Sequence, residues 1–127
     1  MAEHRIGWIG AGRMGFAIAE RLLKAGKKLA IYNRTRSKAE PLVARGARVV
    51  DSIAELADCD IVFVIVAESN DLLEVISGAK GLLSRPGHAP RIVVDSSTVS
   101  ESASAEARAK LAQRGAAFLC APVSGNP

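Results

Sequence analysis

The chain has 127 residues, 49% of them hydrophobic and 24% charged, with a net charge of +4. That is enough for one globular domain with a core and too little to expect two. The longest apolar run, 61–67, is too short to cross a bilayer, and the first ten residues lack the apolar stretch of a signal peptide, so no membrane is expected and the expected setting is cytoplasmic.

Short apolar runs alternate with alanine-rich stretches. Residues 5–10 read as a buried strand and 13–26 as a helix, with Met14, Ile18, Leu22 and Ala25 at helical spacing and Gly26 as its stop. A second strand over 28–34 leads to a short helix over 37–46, with Pro41 in its first turns and Gly46 closing it. A third strand covers 48–50, and Asp51 and Ser52 are capping candidates for a helix over 52–57. Residues 60–67 are apolar on both faces, as a strand in a parallel sheet with helices on each side requires. A helix over 70–78, a Gly/Pro-punctuated connection over 78–90, a strand over 91–95, a helix over 100–115 and a strand over 116–123 complete the order. Strands alternating with helices make right-handed βαβ units, and six strands in this order predict an α/β, doubly wound parallel sheet of order 3-2-1-4-5-6. Its ligand crevice lies where strands 1 and 4 part at their carboxyl ends.

The segment Gly10-Ala11-Gly12-Arg13-Met14-Gly15 falls directly between the first strand and the first helix. In that context the GxGxxG spacing marks a Rossmann dinucleotide site. Gly10 allows the tight turn, Gly12 lets a pyrophosphate approach the backbone, and Gly15 lets the helix lie on the strand, while the helix N-terminus offers free N–H groups to the anion. An NAD site carries an acid at the end of the second strand, whereas this chain has Asn33, Arg34, Thr35, Arg36, Ser37 and Lys38. No carboxylate is available there; Arg34 can fork onto a 2′-phosphate, Lys38 adds charge, and Asn33 and Thr35 can donate hydrogen bonds. The expected cofactor is therefore NADP. This also accounts for the one concentration of cations, 24–38, in a chain whose cations are otherwise scattered and whose aromatics are only 4%, so no nucleic acid is expected as a partner. Arg36 reads as a solvated cation beside the site.

The glycine loop, the run "NRTRSK" after the second strand, "DSSTVS" at 95–100 and "APVSGNP" at 121–127 together resemble the β-hydroxyacid dehydrogenases, the family of 3-hydroxyisobutyrate dehydrogenase, tartronate semialdehyde reductase, the glyoxylate/succinic semialdehyde reductases and 6-phosphogluconate dehydrogenase. The resemblance covers the whole chain. It implies that Ser97 and Thr98 lie by the nicotinamide and substrate, that Val66, Ala67 and Glu68 flank the cofactor, and that Ser124, Gly125 and Asn126, with Thr98, hold the carboxylate of a short hydroxyacid or semialdehyde. Three positions depart from the family's pattern: Cys120 stands for an aspartate, Asn126 for a glycine and Glu101 for a proline. The resemblance further implies that the catalytic lysine, acting as general acid and base, lies beyond residue 127, in a helical C-terminal domain this chain does not contain. No catalytic residue is then expected within it, and its sheet, cut after the sixth strand, is expected to leave an apolar surface that favours a homo-oligomer.

Other constellations carry less. Cys59 and Cys120 sit in or beside apolar runs without CxxC spacing and read as reduced core residues, and no Cys/His/Asp cluster has metal-ligand spacing. His4 and His88 adjoin polar or Pro/Gly segments and read as exposed, and Trp8 reads as core packing. Two alternatives to the hydroxyacid reading remain open: a non-catalytic dinucleotide-binding or scaffold module of the same ancestry, and an imine reductase, which shares the glycine loop and the N-R-T-x-x-K pattern but which "APVSG" argues against.

Overall fold

The computed structural model describes residues 4–123. Among these, six strands form one parallel sheet: β1 (Ile6–Ile9), β2 (Leu29–Tyr32), β3 (Arg48–Val49), β4 (Ile61–Val64), β5 (Ile92–Asp95) and β6 (Ala117–Cys120). Three α-helices accompany them: α1 (Arg13–Lys24), α2 (Ser69–Ser77) and α3 (Glu101–Ala112). The strand order is β3-β2-β1-β4-β5-β6, the doubly wound order expected from the alternation of elements. β1 lies between β2 and β4 with Ile9 in register with Tyr32 and Val64, so the two halves of the sheet diverge beyond Ile9.

Side chains alternate faces along each strand, and each face builds its own core. Ile9, Val62, Val64, Val93 and Phe118 point to the face covered by α2 and α3, where Leu72, Ile76, Ala107 and Leu111 are fully buried against them. Trp8, Ile31 and Leu29 point the other way, under α1, with Ala19, Leu23 and Leu42. The buried stripe of α1 is Gly15, Ala19 and Leu23, one residue out of phase with the predicted Met14, Ile18, Leu22 and Ala25. The reason is close approach: a glycine and an alanine facing the sheet let the helix lie flat on it, and the larger Ile18 and Leu22 pack obliquely at its flanks.

Two predicted helices are instead short 3-10 segments. Over 36–45 the chain forms one from Arg36–Lys38 and another from Glu40–Arg45, because Pro41 supplies no N–H for a continuous helix and Gly46, at φ 104°, ends it. The second, Ile53–Asp58, starts on a capping box in which the Ser52 hydroxyl accepts from the Ala54 N–H and the Glu55 carboxylate from the Ser52 N–H. The connection over 78–90 is pinned rather than loose. Arg85 pairs with Asp58 at 3.0 Å, Arg114 donates to the carbonyls of Leu83, Arg85 and His88, and His88 Nδ1 lies 3.0 Å from the Asp58 carboxylate. His88 is thus engaged, and its hydrogen bond, followed by that of Arg85, holds the Asp58 carboxyl below its ordinary range.

β4 is less sealed than a strand apolar on both faces predicts. Ile61 and Phe63 are only partly buried, and on the same face of the sheet Ile92 and Leu119 are 38% and 55% exposed, because α1 covers β1 and β2 but does not reach β5 and β6. Cys59 is buried, whereas Cys120, expected in the core, is exposed at the end of the edge strand β6, its thiol 3.4 Å from the Ser104 hydroxyl.

Candidate functional site

The glycine loop leaves β1 at Gly10, whose φ of 108° suits a residue without a side chain, and a Cβ there would run into the Ile65 carbonyl. At Gly15 a Cβ would strike the carbonyl of Gly10 and come within 2.8 Å of Ile65. Both glycines are therefore demanded by the fold. Gly12 is not: its φ is −70° and a Cβ built on it meets nothing within 4 Å. The space beside it belongs to the cleft and not to the protein.

Gly12 is also the N-cap of α1, and among the described residues no side chain caps this helix and no acid occupies its first turn. Its first N–H groups and the positive end of its dipole are left for an anion. The loop itself is braced from three sides. Trp8 donates its Nε1–H to the Gly10 carbonyl at 2.8 Å, the Gly10 N–H reaches the Tyr32 carbonyl at 3.0 Å, and the Ala11 N–H reaches Asn33 Oδ1 at 2.8 Å. Trp8 is core packing, its ring stacked 5.4 Å from Phe63, yet its one polar atom fixes the turn.

These elements enclose a cleft of about 710 Å³ at the carboxyl ends of β1, β2 and β4. Gly10, Gly12, Arg13, Met14 and Gly15 line one side, with Asn33, Arg34, Thr35 and Lys38 on the next and Val66 and Ala67 opposite. Ala11 stays 4% exposed behind the loop. Asn33 accepts from the Ala11 N–H and donates one of its two Nδ2 protons to the Thr35 carbonyl at 2.9 Å, so it ties the glycine loop to the end of β2 while lining the cleft. Arg36 pairs with Glu40 and Asp51 and stays out of the cleft lining. A carboxylate absent from the end of β2 is nevertheless supplied from elsewhere: Asp71, in the first turn of α2, accepts from Arg34 Nη2 at 3.0 Å. Spacing along the chain cannot show this contact, which joins residues 37 apart.

Ser97 and Thr98 are not brought into this cleft. Ser97 is 6% exposed, and its hydroxyl accepts from the Val66 N–H at 2.8 Å while its own N–H donates to Asp95 Oδ1 at 3.0 Å. It thereby positions the loop between β4 and α2. Burial raises the pKa of the Asp95 carboxyl, an effect opposed by the hydrogen bonds from the Ser97 hydroxyl and N–H. Thr98 is exposed and lines a second cavity of about 450 Å³ together with Asp95, Ser104, Arg108 and Cys120. Glu68 is the N-cap of α2, its side chain accepting from the Asp71 N–H while Asp71 accepts from the Glu68 N–H at 3.1 Å. Ser124, Gly125 and Asn126 lie outside the described residues.

Residues 5–127 match the family described as the NAD binding domain of 6-phosphogluconate dehydrogenase. The chain is 38% identical over 126 residues to glyoxylate/succinic semialdehyde reductase 2, chloroplastic, of Arabidopsis thaliana, covering 95% of this chain and 34% of that protein. It is 38% identical over 127 residues to the cytokine-like nuclear factor N-PAC of Xenopus tropicalis, covering 98% of this chain and 23% of that one. The solved structure of Psf3 in complex with NADP+ and 2-OPP superimposes on it with a TM-score of 0.83 at 36% identity, over 94% of this chain and 43% of the other. The chain thus spans about a quarter to a third of the length of these curated relatives. Its sheet order, its glycine loop and this match place it in the family of the NAD binding domain of 6-phosphogluconate dehydrogenase, the dinucleotide-binding domain of hydroxyacid dehydrogenase-like oxidoreductases.

Proposed function

We propose that the cleft binds NADP, with the pyrophosphate on the open N-terminus of α1 and the 2′-phosphate on Arg34 and Lys38, and that in a complete enzyme this domain serves hydride transfer between NADP(H) and a short hydroxyacid or semialdehyde. One observation carries the dinucleotide assignment: Gly12, with ordinary backbone angles and no neighbour for a Cβ, stands before a helix that no side chain among the described residues caps. A bare Cα there is needed only if a phosphate comes close. The extra ester phosphate is supported by the loop after β2, where Arg34, Thr35 and Lys38 line the cleft with no acid among them. The Psf3 relative, solved with NADP+, supports the same choice.

Bound there, the nicotinamide would supply the hydride chemistry. The chain's own residues hold and orient. The N–H groups opening α1 take the pyrophosphate, Asn33 keeps that loop against β2, and Ser97 holds Val66, which lines the cleft. Among the described residues, those around the β5–α3 loop offer no lysine or histidine for proton transfer: the titratable groups of the second cavity are Asp95, Glu101, Arg108 and Cys120. A module that binds dinucleotide without turnover is the second reading, favoured by the likeness to a protein named as a nuclear factor.

Titration of NADPH and NADH into the wild type and Arg34→Ala tests the assignment. Hydrogen bonds to a charged group contribute about 1.5–3 kcal/mol, so NADPH should weaken by roughly ten- to a hundredfold while NADH changes little. Equal losses for both nucleotides would refute the phosphate role of Arg34.

A further inference from the structure

We infer that Asp71 sets how strongly this cleft prefers NADPH over NADH, by competing with the 2′-phosphate for the guanidinium of Arg34. The inference rests on the NADP reading of the cleft. It starts from an ion pair that spans the cleft: Arg34 at the end of β2 and Asp71 in the first turn of α2 both line it, and Arg34 Nη2 meets Asp71 Oδ1 at 3.0 Å.

The two partners are unequal. Asp71 is 26% exposed and its other oxygen accepts from the Glu68 N–H, so the carboxylate is fixed to the helix as part of its cap. Arg34 is 83% exposed, on a long side chain. The carboxylate is therefore the anchor and the guanidinium the part that can move. A dinucleotide with a free 2′-hydroxyl leaves the pair in place. One with a 2′-phosphate must draw Arg34 away from Asp71 or share it, and sharing sets a carboxylate near a phosphate that carries up to two negative charges. In either case Asp71 weakens NADPH and spares NADH.

The other charged groups lining the cleft do not offset this. Arg13, Lys38 and Lys80 are cationic, Asp51 is paired with Arg36, and Glu74 lies a further turn along α2. Asp71 is the carboxylate in direct contact with the cation assigned to the phosphate.

Asp71→Asn tests the inference, because asparagine keeps an oxygen for the Glu68 N–H and removes the charge. An exposed ion pair is worth a factor of about two to five in a binding constant, so NADPH should tighten about two- to fivefold, with NADH unchanged as the control for the fold. In an Arg34→Ala background the same substitution should give little or no gain. Unchanged or weaker NADPH binding by Asp71→Asn, with Arg34→Ala still selective against NADPH, overturns the inference and leaves the NADP reading standing. An equal gain in both backgrounds overturns it too, since the competition needs Arg34. If Arg34→Ala affects both nucleotides alike, or the wild type binds neither, the NADP reading falls and takes the inference with it. Should Asp71→Asn weaken NADH as well, Asp71→Ser, which keeps a hydroxyl at the cap without charge, repeats the comparison with the same expected and contrary outcomes.

Discussion

At the end of β5 the chain turns into α3 through Ser100, whose hydroxyl accepts from the Ala103 N–H at 3.1 Å, with the Ser69 hydroxyl accepting from the Ser100 N–H at 3.0 Å. At the end of β4 it turns into α2 through the reciprocal cap of Glu68 and Asp71. At the end of β1 it turns into α1 with no cap and no acid in the first turn, on a glycine that the fold does not require. The three crossovers share one architecture and differ in who satisfies the helix N-terminus. Where the protein supplies the acceptor itself, the end is closed and the helix is stabilised at home. Where no described side chain supplies one, the first N–H groups of the helix stay open to the cleft, and an anion bound on them would stabilise the folded state by mass action.

Gly15 and Gly12 separate these two demands within four residues. Gly15→Ala should lower unfolding stability by about 3 kcal/mol, because the new methyl meets a backbone carbonyl that cannot swing aside, and a thermal or urea transition would register it whether or not nucleotide is present. Gly12→Ala should do the reverse. Its backbone angles suit alanine, so stability should hold or rise by a few tenths of a kcal/mol, while NADPH affinity falls about tenfold or more. Full affinity in Gly12→Ala would remove the contrast, since the bare Cα would then serve neither the fold nor a ligand.

This contrast was partly legible in the residues themselves. The order of strands and helices could be read from apolar runs and glycine stops because burial on both sides leaves an unbroken apolar signature, and the doubly wound sheet follows from the alternation. The glycine loop could be read because each glycine answers a different steric or electrostatic need at a fixed offset. Phase within α1 could not: Ile18 and Leu22 look like the buried face, and only the close approach of Gly15 to the Gly10 carbonyl turns Ala19 and Leu23 inward. The 3-10 segment carrying Pro41 escaped for a related reason, since a proline near the start of a helix is compatible with both outcomes and packing decides. The contacts of Asp71 and Ser97 were hidden by distance along the chain: one reaches Arg34 over 37 residues and the other, though Ser97 itself was singled out, reaches Val66 over 31, and no local pattern announces either contact.

The smallest effect tests the closed side of the comparison. Ser100→Ala removes the acceptor from the Ala103 N–H and should lower stability by about 1 kcal/mol, the usual worth of a serine cap. Part of that loss falls on the β5–α3 loop, because the Ser100 N–H still donates to Ser69 and keeps α3 registered against α2. The lining of the cleft does not include Ser100, so the affinity for NADPH should stay within about twofold, less than half a kcal/mol. A stability loss with binding intact places the capped end among the supports of the fold. A comparable drop in NADPH affinity would mean that the two ends are coupled, through Ser97 and Val66, and that closing one helix is part of how the other is held open.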